Sequence, residues 1–172
     1  FDHFGSARHQ RRRIQDVDDA PVHGTPFDDE SIALAPVVPG PRNEPDDAVH
    51  LFAAGVMVPE AVEAARSLRS DGILANVFVV TSPDRLYRGL RGPHPYLEEL
   101  VTAEEEGVPV VSVLDGHSHG LAFLGSALGV PQLALGVDHF GQSGSRRDLY
   151  GHYGIDAVSM ARAAQTLLGR VR

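Results

Sequence analysis

The chain has 172 residues, of which 42% are hydrophobic and 22% charged, the proportions of an ordinary globular protein with a single core. Its net charge of -8 argues against nucleic acid and against an anionic membrane as partners, since neither is attracted to an acidic surface. The absence of cysteine excludes disulfides and thiolate chemistry and leads us to expect a cytoplasmic protein, and no apolar run is long enough to span a membrane.

Residues 1–30 differ in composition from the rest of the chain. They combine an arginine cluster with an acidic, proline-containing run and show no sustained apolar periodicity, which favours a linker or a tail from a preceding domain. The chain opens on Phe1 rather than on methionine, so we expect a fragment of a longer protein. Residues 31–38, SIALAPVV, alternate as a strand does, and Pro36 confines that strand to an edge or to its own end. We therefore expect one domain over residues 31–172.

Strands and helices alternate along the remainder of the sequence. Short apolar runs predict four buried strands, at residues 48–54, 77–80, 110–114 and 132–137. Helical spacing and capping residues predict helices at residues 58–68, 96–106, 121–128, 146–153 and 157–168. A further short helix is predicted to begin at Pro83, with Ser82 as its N-cap. This alternation predicts a single three-layer α/β/α domain with a mostly parallel sheet.

Apolar residues at helical spacing define the faces that we expect to be buried in the first and last helices. In the helix at residues 58–68 they are Val62, Ala65 and Leu68. In the last helix, which Asp156 caps, they are Val158, Ala161, Ala164 and Leu168.

A G-x-S-x-G pentapeptide, GHSHG at residues 116–120, lies between a predicted strand and a predicted helix. In that context a tight turn can present a serine as a nucleophile at a helix N-terminus. Asp138 and His152 follow Ser118 in the order that α/β hydrolases use, so a small serine hydrolase is one interpretation. Against it, the three residues are close in sequence, and no glycine-rich loop of the HGGG type is present to form an oxyanion hole.

The same turn offers residues of the types that bind metals. A metal site could include His117, His119 and Asp115, all on this turn. His139 and His152 complete such a site only if two separate turns converge. Residues two apart on a turn are a poor ligand pair, so the pattern favours polar residues at the start of a helix. The sequence also has no phosphate-binding loop and no G-x-G-x-x-G after a strand.

The segment LGVDHFGQSGSRRDL at residues 135–149 resembles the C-terminal domain of thiamine-diphosphate enzymes of the transketolase family. The similarity is closest to the homodimeric pyruvate dehydrogenase component, in which a similar strand ends in Gly-x-Asp-x-Phe-Gly-x-Ser. It extends to the segments at residues 49–55, 77–82 and 153–156, and covers roughly residues 31–168.

This resemblance implies a five-stranded mixed sheet whose first strand, at residues 31–38, runs antiparallel to the others. It also implies that thiamine diphosphate and Mg are bound by two preceding domains, through a Gly-Asp-Gly motif. This chain lacks that motif, because Asp71-Gly72 follows Ser70 and Asp115-Gly116 follows Leu114. We therefore expect no cofactor-binding, metal-binding or catalytic residue on this chain.

The family further implies an interface role for the loop at residues 138–145, which we call the interface loop. Its candidate contact residues are Asp138, His139, Phe140, Gly141, Ser143 and Ser145. The implied partners are the preceding catalytic domains of the same protein or of a separate subunit, within a homodimeric enzyme. The resemblance thus indicates a noncatalytic structural or dimerisation domain of a 2-oxo acid dehydrogenase or transketolase. A free-standing regulatory or interaction module of the same fold is a further interpretation. The GHSHG turn is unlike the family pattern, so we expect it to be an insertion or a contact private to this chain.

Overall fold

The computed structural model of the chain describes residues 47–92, 97, 100, 101, 105 and 107–169. The predicted linker at residues 1–30, the predicted strand at residues 31–38 and most of the predicted helix at residues 96–106 lie outside this part. A fifth strand and its antiparallel direction therefore stay predictions.

Four strands, five α-helices and two short 3-10 helices, Gly55–Met57 and Ser118–Gly120, are described over their full length. The strands are β1 (Ala48–Ala54), β2 (Leu74–Val80), β3 (Val110–Val113) and β4 (Gln132–Leu135). The helices are α1 (Val58–Ser70), α2 (Pro83–Gly89), α3 (Phe123–Leu128), α4 (Arg146–Tyr153) and α5 (Ala157–Leu167). None of these helices has the length and hydrophobicity that crossing a membrane requires.

The four strands form one sheet in the order β2-β1-β3-β4, and every neighbouring pair is parallel. Parallel neighbours need crossover connections, and helices supply them here, as the predicted alternation of strands and helices requires. All four strands consequently end at one edge of the sheet, which we call the carboxyl edge.

The core has two parts, one on each face of the sheet. Alternate residues of β1 point to opposite faces, and all seven are buried. On one face Val49, Leu51 and Ala53 belong to a cluster that includes buried residues of α1 and α5. On the other, Phe52 and Ala54 pack in a cluster with residues of α2 and α3. The predicted layered α/β/α arrangement is confirmed for these residues.

Two strand predictions need correction. β2 begins at Leu74 and not at residue 77, because Ala75 and Asn76 also pair with β1 and are buried. β4 ends at Leu135 and is half-exposed rather than buried on both faces. Within the described residues β4 has only β3 as a neighbour, so Leu133 remains accessible to solvent.

The buried faces of two helices also differ from the prediction. The buried residues of α1 are Ala61, Ala64 and Leu68, whereas the predicted Val62 and Ala65 are only partly buried against the core.

In α5 the buried residues are Met160, Ala161, Ala163 and Ala164, and Val158 is 64% exposed. Val158 precedes Met160 by two residues, which is about 200° around a helix, so the two side chains lie on opposite faces. Leu168 lies just beyond the helix, partly buried against the core.

Candidate functional site

The GHSHG turn and the interface loop meet at the carboxyl edge. The turn follows β3 and the loop follows β4, and these two strands are parallel neighbours. Leu114 N–H donates to Leu135 O at 3.3 Å, and Val137 N–H donates to Gly116 O at 2.8 Å. The backbone pairing of the strands thus continues into the two segments that follow them.

Gly136 allows the closest approach between these segments. A Cβ atom at Gly136 would lie 2.4 Å from the backbone nitrogen of Ser118 and 2.6 Å from the carbonyl oxygen of Gly116. Both neighbours are backbone atoms and cannot swing away, so only glycine fits this position.

Asp138 is held by the GHSHG turn. Its Oδ1 accepts a hydrogen bond from the backbone N–H of Ser118 at 2.9 Å, and its Oδ2 accepts one from the Ser118 hydroxyl at 2.9 Å. These two bonds, backbone first, lower the pKa of Asp138 below its ordinary value, and the nearby His117 and His119 add smaller effects in the same direction. Asp138 therefore remains an ionised acceptor at neutral pH.

Of the three candidate hydrolase residues, the structure brings two together. Ser118 donates directly to Asp138, whereas His152 lies exposed on α4 with its ring against that of Tyr153, at 5.0 Å between centroids. In a serine hydrolase the histidine stands between the serine and the aspartate and takes the serine proton. The Ser118 hydroxyl is instead bonded to a carboxylate of low pKa, an arrangement that anchors a loop.

The histidines of the turn stand side by side. The rings of His117 and His119 are 4.4 Å apart between centroids, and His117 Nδ1 lies 3.3 Å from Asp138 Oδ1. His139, on the interface loop, is exposed. In the part of the chain that the structure describes, no three histidine or carboxylate side chains converge as metal ligands would.

The interface loop is exposed along its length but fixed at both ends. Asp138 holds its start, and Ser145 caps α4 at its end by accepting from Asp148 N–H at 3.3 Å. Between these ends the side chain of Phe140 is fully exposed. Phe140 is the most exposed large apolar side chain among the described residues, and aromatic residues are enriched at protein interfaces.

Two further exposed apolar residues lie at the carboxyl edge, and sequence reasoning missed both. Val56 follows β1 directly. Val158 opens α5, whose N-terminus lies beside that of α1, since Ala157 N–H donates to Glu60 Oε2 at 3.1 Å. In the sequence, the signal that could have identified Val56 as an exposed residue was a large apolar side chain in a predicted turn.

Comparisons with known proteins agree with this architecture. The family model described as the transketolase-like TK C-terminal domain matches residues 41–156. The chain is 34% identical over 127 residues to the chromosomal transketolase of Cupriavidus necator, covering 74% of this chain and 18% of that protein. It is 30% identical over 146 residues to the plasmid transketolase of the same organism, covering 83% of this chain and 20% of that one.

Solved structures of transketolases share the fold. The transketolase from Leishmania mexicana superposes with a TM-score of 0.54 at 26% identity, over 72% of this chain and 16% of that one. A split gene transketolase, an inactive beta4 tetramer, superposes with a TM-score of 0.55 at 24% identity, over 79% of this chain and 48% of that one.

The chain spans about a fifth of the length of the curated relatives that it matches. The predicted resemblance to the transketolase family is confirmed, while the closer likeness to pyruvate dehydrogenase stays a prediction. Because the family model covers more than half of the chain, the chain belongs to the family of transketolase-like C-terminal domains.

Proposed function

We propose that this chain is the noncatalytic C-terminal domain of a cytoplasmic, homodimeric, thiamine-diphosphate-dependent enzyme, and that its interface loop docks onto the domains that bind the cofactor. The named relatives are transketolases, which favours a transketolase over a 2-oxo acid dehydrogenase as the whole enzyme. These relatives are about five times as long as the matched region, which leaves room for separate cofactor-binding domains.

Phe140 is the observation that carries the docking part of the proposal. A fully exposed phenylalanine is unfavourable on the surface of an isolated domain and favourable when a partner buries it. The loop that holds it is already fixed at Asp138 and Ser145, so binding orders little additional backbone. Aromatic residues with this kind of support are frequent binding hot spots.

The sequence lacks the Gly-Asp-Gly motif through which the family binds thiamine diphosphate and its metal. Both carboxylate oxygens of Asp138, at the carboxyl edge, already accept hydrogen bonds from Ser118. Among the described residues, no three histidine or carboxylate side chains are grouped as metal ligands. This supports a role in which the chain's own residues position other domains rather than hold the cofactor.

Amide hydrogen exchange in the whole enzyme tests the docking. We expect the amides at residues 139–144 to exchange at least about tenfold more slowly in the whole enzyme than in the 172-residue chain, because a partner covers them. Phe140→Ser in the whole enzyme should remove most of this protection.

Tyr87→Ser is the matched control, since Tyr87 is an exposed aromatic on α2, outside the interface loop. It should leave the protection of the loop unchanged. Equal exchange rates of the loop in the whole enzyme and in the chain would refute the docking proposal.

A further inference from the structure

The interface loop takes its position from the GHSHG turn. Its first residue, Asp138, accepts two hydrogen bonds of 2.9 Å from Ser118, one from the backbone and one from the hydroxyl. Hydrogen bonds to an ionised acceptor belong to the stronger class, and the donor, Ser118, is buried. Where the turn lies therefore decides where the loop begins.

His117 Nδ1 faces two alternative partners at the same distance. It lies 3.3 Å from Asp138 Oδ1 and 3.3 Å from the backbone nitrogen of His119. In the neutral tautomer that carries its proton on Nε2, Nδ1 accepts the His119 N–H and caps the 3-10 turn at Ser118–Gly120. With a proton, Nδ1 is a donor, so it can bond to Asp138 but no longer accept from His119. One proton thus selects between a bond within the turn and a bond to the loop.

Titratable groups flank His117 on both segments. Asp115 and His119 share its turn, and Asp138 and His139 lie on the interface loop. Asp138 Oδ1 lies 3.3 Å from His117 Nδ1, and the rings of His117 and His119 are 4.4 Å apart between centroids. Hydrogen bonds from Ser118 lower the pKa of Asp138, so the group that faces His117 is a carboxylate at neutral pH.

We propose that the GHSHG turn is a proton-dependent positioning clamp for the interface loop, in which Ser118 holds Asp138 permanently and His117 adds a third bond when it is protonated. The inference deepens the proposed function and rests on it, because the loop that the clamp positions is the proposed docking loop. Ser118 and His117 are positioning residues here, and neither has a catalytic role.

Nuclear magnetic resonance of the 172-residue chain tests the clamp directly. The imidazole nitrogen shifts of His117 report its protonation, and the amide shifts of Ser118, His119 and Phe140 report the turn and the loop. We expect all three amide signals to change together with the imidazole shifts of His117 as the pH is varied. Amide signals that do not follow His117 would overturn the proposal, and this measurement needs no variant.

Variants then separate the two donors. His117→Asn keeps a side chain that can cap the turn but cannot titrate, so it should abolish the pH response of the Phe140 amide. His152→Asn, which replaces the exposed histidine of α4, is the matched control and should leave the response intact. Ser118→Ala should speed exchange of the Ser118 amide about tenfold, since one of the two bonds to Asp138 is lost. A pH response that persists in His117→Asn contradicts the clamp.

The clamp and the docking can fail independently. The clamp is measured on the chain alone, whereas docking is measured by protection of residues 139–144 in the whole enzyme. A loop that follows His117 but gains no protection would retain the clamp and refute the proposed function. A loop that is protected in the whole enzyme but whose amide signals do not follow His117 would support the proposed function and refute the clamp.

Discussion

His50 is the residue whose environment departs furthest from what its chemistry prefers. It lies on the central strand β1, 1% exposed, with its ring edge-on to Phe78. Within the described residues neither ring nitrogen has a hydrogen-bond partner. Burial lowers the pKa of His50 from 6.5 to about 4, although the charge of Glu105 acts in the opposite direction. The folded protein therefore keeps this imidazole neutral.

The lowered pKa of His50 makes the stability of the fold depend on pH. Between pH 6.5 and about 4 the unfolded chain binds a proton at His50 that the folded chain does not, so the free energy of unfolding falls as pH decreases through this range. The loss is roughly 3 kcal/mol when complete. Urea denaturation at pH 7 and pH 4.5 measures it, and His50→Leu should remove most of the difference. His152→Leu, at an exposed site, is the control and should keep the full difference between the two pH values. If the free energy of unfolding of His50→Leu falls between pH 7 and pH 4.5 by as much as that of the unchanged chain, the assignment to His50 is wrong.

Elements with strong local signals are the ones that the sequence predicted well. β1 and α4 have the predicted bounds, because a strand that is apolar except for His50 and a serine-capped helix are determined by neighbouring residues. Contacts between elements were not predictable in this way. Ser118 and Asp138 are 20 residues apart, and their direct bond depends on β3 and β4 being neighbours in the sheet. The G-x-S-x-G pattern specifies residue types but not this pairing.

The junction between the segments that follow β3 and β4 depends on the absence of a side chain at Gly136. Gly136→Ala would place Cβ 2.4 Å from the Ser118 nitrogen, so the two segments must separate. We expect a loss of about 1–3 kcal/mol in the free energy of unfolding and faster exchange of the Ser118 amide. Gly144→Ala is a matched control in the interface loop, where the new Cβ meets its nearest atom at an ordinary 3.6 Å. Similar losses in both variants would show that the close approach does not matter.

At the scale of the whole molecule, the polar and apolar features used in the proposals gather at one edge. Every strand of the described sheet ends at this edge. The GHSHG turn, the interface loop and the start of α5 also lie there. The sequence resemblance identified the family, and its prediction of the interface loop stays a prediction. The sheet order and the exposure of Val56 and Val158 required three-dimensional structure. The exposed apolar side chains at this edge, Phe140, Val56 and Val158, are the observation that supports the proposed protein partner.

The proposed division of roles also predicts how the 172-residue chain responds to thiamine diphosphate. A ligand that binds only the folded state at a concentration of 100 times its Kd stabilises that state by about 2.7 kcal/mol. For a domain of this size the Tm would then rise on the order of 5 °C. We expect no such rise when thiamine diphosphate and Mg²⁺ are added to the chain at millimolar concentration, because the sequence lacks the Gly-Asp-Gly motif through which the family binds them. The whole enzyme, treated identically, should gain stability. A rise in the Tm of the chain alone would place a cofactor site on it and contradict the proposed division of roles.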